Sequence, residues 1–151
     1  MLSQTIEYAL RAMTFLASID GDASFNSETI AECTKVPKGY LSKILRDLVV
    51  ADLIVSQRGP NGGFTLSRSA AKTSMLDVVN AVDPIPRIRK CPLGNPAHLQ
   101  LCPLHRRLDN AIAMIEQEFG RASLAEVLET STKSGGQCRT LVTPTVRGGK
   151  R

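Results

Sequence analysis

Gly59, Pro60, Gly62 and Gly63 crowd into one short stretch between the apolar runs Leu53-Ile54-Val55 and Phe64-Thr65-Leu66. So dense a cluster of chain-reversing residues predicts two short strands joined by a tight turn over residues 58–63. Immediately before it, Leu41, Ile44, Leu45 and Leu48 recur at helical spacing, which gives a helix one buried face. Lys38, Tyr40, Ser42, Lys43 and Arg46 lie off that stripe and face outward. A helix with short polar and basic side chains on its outer face can enter the DNA major groove. A basic hairpin beside it, with Arg58, Gly59 and Asn61 in its turn, can reach the backbone or the minor groove. The expected fold is mainly α: a winged helix-turn-helix domain with a two-stranded wing, followed by a long dimerisation helix.

The flanking segments fit that frame. Ser3 caps a first helix whose Ile6, Leu10, Met13 and Leu16 form one stripe, and residues 20–22 end it. Asn26 or Ser27 opens a second helix, Thr34 to Pro37 makes a turn, and Pro37 is well placed to start the reader helix. Ser74-x-x-Asp77 resembles a capping box, with Asp in place of the usual Glu or Gln, and Asp83-Pro84 closes the helix it opens. Residues 1–83 therefore form the DNA-binding domain. Residues 84–102 are a loop broken by prolines and carrying two cysteines. Residues 103–130 hold a long helix and a short terminal one, and residues 131–151 read as a flexible basic tail.

Charge agrees with a polyanionic partner. Between Lys35 and Lys72 stand seven basic residues against two acids, and residues 85–107 add Arg87, Arg89, Lys90, Arg106 and Arg107 with no acid. No apolar run approaches membrane-spanning length and no secretory signal opens the chain, so a cytoplasmic protein without membrane attachment is expected. Along the long helix, Leu104, Leu108, Ile112, Ile115 and Phe119 form an apolar stripe. Two readings stand for it: packing back on its own domain, or a seam between two copies. Groove readers commonly bind two half-sites as symmetric dimers, which favours the second.

Several segments resemble the IscR/NsrR/CymR-type winged-helix transcription regulators, the Rrf family. They are Glu7-Tyr8-Ala9-Leu10-Arg11, Thr29-Ile30-Ala31-Glu32, the run from Val36 to Leu45, and the run from Ser56 to Leu66. The resemblance covers residues 1 to about 130. It implies a sequence-specific regulator, a repressor, acting as a homodimer on a palindromic operator. Tyr40, Ser42 and Lys43 match the family's groove-facing positions, and Arg58 its wing arginine. Ser42 stands where the cluster-bearing regulator has a base-reading glutamate, which implies a different target sequence.

In cluster-bearing members the loop before the long helix carries three cysteines spaced C-x5-C-x5-C. Here Cys91 and Cys102 occupy the outer positions, and Ala97 stands at the middle one beside His98. His105 follows Cys102 by three residues, and Glu7 matches a first-helix carboxylate that one branch contributes from the partner subunit. The candidate ligands are thus Cys91, Cys102, His105, His98 and Glu7. Thiolate and imidazole suit an iron–sulfur cluster of the two-iron type, and would answer redox, nitric oxide or cluster status. The same donors suit zinc, and a metal-free regulator is the third reading. Cys33 is expected to be a buried small hydrophobe and Cys138 a free thiol in the tail.

Other function classes have less support. The glycine-rich wing has no Gly-Lys-Ser/Thr after it, and no Ser-His-Asp or paired-carboxylate constellation appears, so no enzyme is expected. A metal-free or zinc-bound regulator using the fold for protein–protein contacts is the remaining alternative, and the basic wing speaks against it.

Overall fold

The structure is a computed structural model and describes residues 2–19, 23–92, 94 and 100–133. Among these it contains helices α1 (Gln4–Ala17), α2 (Ser27–Thr34), α3 (Lys38–Val50), α4 (Met75–Val82), α5 (Pro103–Arg121) and α6 (Leu124–Lys133). Strands β1 (Ile54–Gln57) and β2 (Gly63–Leu66) pair antiparallel, and a single 3-10 turn spans Ala70–Lys72. The mainly α, winged architecture expected from the sequence is the observed one. Asp20, Gly21, Asp22 and Cys138 lie outside the described residues, as does the expected tail from residue 134 onward.

The helices begin where short polar side chains can satisfy free N–H groups. Ser3 Oγ accepts from the Ile6 N–H, and Asn26 Oδ1 accepts from the Thr29 N–H at 2.8 Å. Ser74 and Asp77 exchange both bonds of a capping box, at 3.1 and 3.0 Å, so the shorter aspartate serves where glutamate is usual. Ser123 and Glu126 repeat the device at the start of α6.

An aliphatic core ties α1 to α4 and α6 together. Leu41, Ile44, Leu45 and Leu48 of α3 are each no more than 1% exposed, against Ala12, Met13, Ile30, Ile54, Val78 and Leu124. Burying each such side chain stabilises the fold by about 1.5–3 kcal/mol. Phe15 and Phe25 add an edge-to-face contact, with centroids 5.6 Å apart. Cys33 packs at the edge of this core, and burial pushes its thiol pKa up, aided by Glu32.

The wing has a third participant. Phe25 forms a bridge to Phe64, with N–H groups donating both ways at 3.1 and 2.8 Å. This approach explains Gly63: a Cβ there would lie 2.5 Å from the Phe25 carbonyl carbon. At the turn, Gly59 takes φ +115, which only glycine adopts easily.

Two substitutions test this account of α3. Leu48→Ala should lower unfolding free energy by about 2–5 kcal/mol. Val50→Ala, on the same helix but 82% exposed, should change it by less than about 0.5 kcal/mol. Urea unfolding followed by circular dichroism reads both. Equal losses would contradict the assigned buried face.

Candidate nucleic-acid interface and metal centre

The inner stripe of α3 fixes which side chains look out. Lys38, Gly39, Tyr40, Ser42, Lys43, Arg46 and Val50 are all exposed, and the exposed turn carrying Arg58, Gly59 and Asn61 lies at the end of the adjacent hairpin. The expected reader residues therefore share the solvent-facing side of α3 and the wing tip. Their charges are not all unpaired. Lys38 pairs with Glu28, whose carboxylate raises the lysine pKa and is itself held below its usual range. Lys43 pairs with Asp47 at 2.8 Å, one helical turn on. A phosphate reaching either lysine therefore replaces a carboxylate. Arg58 forms no ion pair among the described residues. Ser42 Oγ donates back to the Lys38 carbonyl at 3.1 Å. Asn61 contributes its carbonyl, which accepts from Ser24 Oγ at 2.7 Å and tethers the wing tip to the strap before α2.

One basic residue was not singled out from the sequence. Tyr40 meets Tyr8 of α1 edge to face at 5.9 Å, and the Arg11 guanidinium lies 5.8 Å from the Tyr8 ring centre. Arg11 therefore borders the outer face of α3 through two aromatic rings. Glu7 forms an ion pair with Arg11 on α1 and is not part of the cysteine–histidine group within the chain.

That group brings together three of the five expected ligands. The donor atoms of Cys91, Cys102 and His105 all lie within 4.8 Å of one another. His105 Nδ1 stands 3.1 Å from Cys102 Sγ and 3.7 Å from Cys91 Sγ. Each residue is partly buried. Cys102 is the N-cap of α5, with Pro103 following, which places its sulfur at the positive end of a 19-residue helix. His98 lies outside the described residues.

A polar clamp holds the loop on α5. Arg87 donates to Asp109 through Nε and Nη2, each at 2.7 Å, and to Glu116 through Nη1 at 3.0 Å. The Ile88 N–H adds a bond to the same Asp109 carboxylate at 2.9 Å. Arg87 holds the Asp109 carboxyl below the usual carboxylate range, chiefly by hydrogen bonding, and its own pKa is raised in turn. The sequence offered one signal for this clamp: Asp109 and Glu116 stand seven residues apart on α5 and share a flank.

The apolar stripe of α5 is not what its own chain covers. No residue of this helix is fully buried. Leu104, Leu108 and Ile115 are 63%, 46% and 40% exposed, and Ile112 and Phe119 are half-buried. Beside the stripe, Leu2, Ile6, Pro84, Ile85, Ile112 and Ile115 line an apolar cleft of about 800 Å³.

Similarity to known proteins agrees with this geometry. Residues 2–130 match the model of the Rrf2 family, described as iron-dependent transcriptional regulators. An HTH-type transcriptional regulator of Aquifex aeolicus is 25% identical over 142 residues, covering 88% of this chain and 94% of its own length. IscR of T. potens superposes with a TM-score of 0.75 at 20% identity, over 90% of this chain and 91% of that one. CymR of Bacillus subtilis, a global cysteine regulator, superposes with a TM-score of 0.68 at 22% identity, over 86% of this chain and 97% of its own. The family and these relatives are transcriptional regulators and not enzymes, in line with the sequence reading.

The clamp makes loop attachment acid-sensitive. The Asp109 pKa is depressed in the folded chain, so its contribution is fully present above the ordinary aspartate value of about 3.9. It is lost as pH falls through the lower, folded-state value. The Ile88 amide resonance should shift in one step centred below that ordinary value. Asp109→Asn should abolish the step, and a step that survives would remove Asp109 as its origin.

Proposed function

The chain belongs to the Rrf2 family of DNA-binding transcriptional regulators, and from that premise we propose that it is a repressor binding a palindromic operator as a homodimer, its affinity set through the cysteine–histidine loop. The observation that carries this reading is the outward face of α3 beside the wing, with Lys38, Tyr40, Ser42, Lys43, Arg46 and Arg58 all exposed. Phosphate contacts supply most of the affinity of such a surface, and the few side chains that reach base edges supply its specificity. Arg58, lacking a carboxylate partner among the described residues, enters a groove or binds phosphate without first giving up an ion pair.

The dimer reading rests on the exposed α5 stripe and the apolar cleft beside it. A second α5 is the occupant whose shape repeats, and a two-fold seam would set the separation of the two reader helices on one DNA face. No helix among the described residues is long and apolar enough to cross a membrane, and a DNA partner places the work of the protein in the bacterial cytoplasm. Signals of redox, nitric oxide or iron–sulfur status would enter at Cys91, Cys102 and His105. Iron held by thiolates is chemistry that all three signals alter. The loop leads directly into α5, so a change there reaches the element that spaces the readers.

Duplex DNA carrying the chain's own operator tests the reader. Arg58→Ala should weaken binding by about 1–3 kcal/mol at matched salt. Binding as tight as wild type would contradict the wing's role. Leu108→Glu tests assembly. Its side chain is already solvent-facing in the single chain, so the variant should stay helical while sedimenting as monomer. A stable Leu108→Glu dimer would rule out the α5 stripe as the seam.

A further inference from the structure

We infer that Cys91, Cys102 and His105 bind a single divalent metal ion, ferrous iron or zinc, rather than a two-iron cluster, and that the Arg87–Asp109–Glu116 clamp holds Cys91 in the ligand set. This deepens the regulator reading and rests on it for its purpose, though not for its chemistry.

Geometry decides the number of metal ions. A tetrahedral ion with sulfur at about 2.3 Å and nitrogen at about 2.0 Å sets its donors roughly 3.6–3.8 Å apart. Of the observed sulfur-to-nitrogen distances, 3.7 Å matches that spacing and 3.1 Å is about half an ångström shorter, and all three donors converge within 4.8 Å. A 2Fe–2S cluster instead needs two protein donors on each of two irons, so its donors spread over two centres. The described donors crowd around one. Two thiolates and an imidazole are a soft-to-borderline set that suits zinc and ferrous iron and disfavours magnesium or calcium. Among the described residues three protein donors converge, and the fourth tetrahedral position is left to a further donor, water or a small exogenous ligand.

The clamp sets the register of the loop. Arg87 and Ile88 engage Asp109; Cys91 lies four residues after Arg87, and His105 four residues before Asp109. The loop therefore runs antiparallel along α5, and each step away from the clamp brings Cys91 nearer to His105. Arg87 touches no metal donor. It is a positioning residue, acting through the backbone between residues 87 and 91. Groups hydrogen-bonded directly to metal ligands change metal affinity by roughly 10–100-fold when removed, and a residue that positions a ligand through the backbone should act near the lower end of that range.

The test is anaerobic titration of the reduced, metal-free full chain with cobalt(II), read by visible absorption. Wild type should bind one cobalt per subunit, with the intense ligand-field bands of a tetrahedral thiolate site, and zinc should displace it. Cys102→Ser and His105→Ala should lose the site or its tetrahedral spectrum. Arg87→Met should weaken cobalt binding roughly ten-fold or more with the spectrum retained at saturation, and Arg87→Lys should recover part of the loss. Asp109→Asn repeats the test should Arg87→Met fail to fold. Unchanged affinity in a folded Arg87→Met or Asp109→Asn variant would overturn the clamp's role. Failure of wild type to bind stoichiometric cobalt would overturn the metal site. Reconstitution with iron and sulfide that yields two irons and two sulfides per subunit would overturn the single-ion assignment. Salt-dependent binding of duplex DNA, measured on the same samples, separates this from the regulator reading. DNA binding without cobalt binding removes only the metal site, and cobalt binding without DNA binding removes only the regulator.

Discussion

Burial of the α3 inner stripe is the constraint from which the rest of the structure follows. Leu41, Ile44, Leu45 and Leu48 leave that helix no rotational freedom about its own axis. Turning it by one residue would expose leucine and bury lysine, losing the burial of the stripe and adding the cost of an unpaired buried ammonium. The outward display of Lys38, Tyr40, Ser42 and Lys43 is thus a consequence of the core, and no contact among those side chains is needed to maintain it. β1 leaves the end of α3 with Leu53 and Ile54 in the same core, so the hairpin inherits its position from the same burial.

The attachment of α5 obeys a different logic. A typical surface helix turns its apolar face inward. Here the inward hydrogen bonds are the Arg87 fork and the Ile88 N–H, with a bridge between Ser74 and Ser123 just past the helix end, while Ile112 and Phe119 are only half-buried. The Met75 N–H donates to the Ala122 carbonyl and the Leu124 N–H to the Thr73 carbonyl, both at 2.9 Å, which pins the far end of the helix to the start of α4. Polar contacts hold the helix while its leucines stay in solvent. That division lets one helix be fixed to its own domain and still offer an apolar seam.

Much of this was legible in the sequence, for identifiable reasons. Capping residues and helical periodicity mark element starts wherever they act locally, as at Ser3, Asn26, Ser74 and Ser123. The wing turn was legible because glycine and proline announce a conformation by themselves. What escaped was non-local. Phe25 reads as part of a loop, and nothing in its neighbourhood says that it pairs with Phe64, 39 positions away. Arg87 reads as one basic residue among several in a proline-rich loop, since its two carboxylates lie 22 and 29 positions on. Arg11 was not singled out, because its link to Tyr40 passes through Tyr8 and neither contact shows in the spacing. The outer cysteines and His105 were recognised from type and spacing, and the structure brings their donor atoms together; Glu7, singled out as a carboxylate reaching across from a partner subunit, pairs with Arg11 within its own chain.

The antiparallel run of the loop along α5 has an entropic consequence. Joining Cys91 to Cys102 closes a loop of roughly ten residues, which in a flexible chain costs about 2 kcal/mol. Because Arg87 and Ile88 already bind Asp109, folding bears that cost before any ligand arrives. The thiols meet as neighbours on a preorganised scaffold, not as the ends of a wandering chain. Doubling the length between them would add only about 0.6 kcal/mol. Closure entropy therefore restricts the length of the segment between the cysteines only weakly, while the pair of sulfurs it connects stays in place.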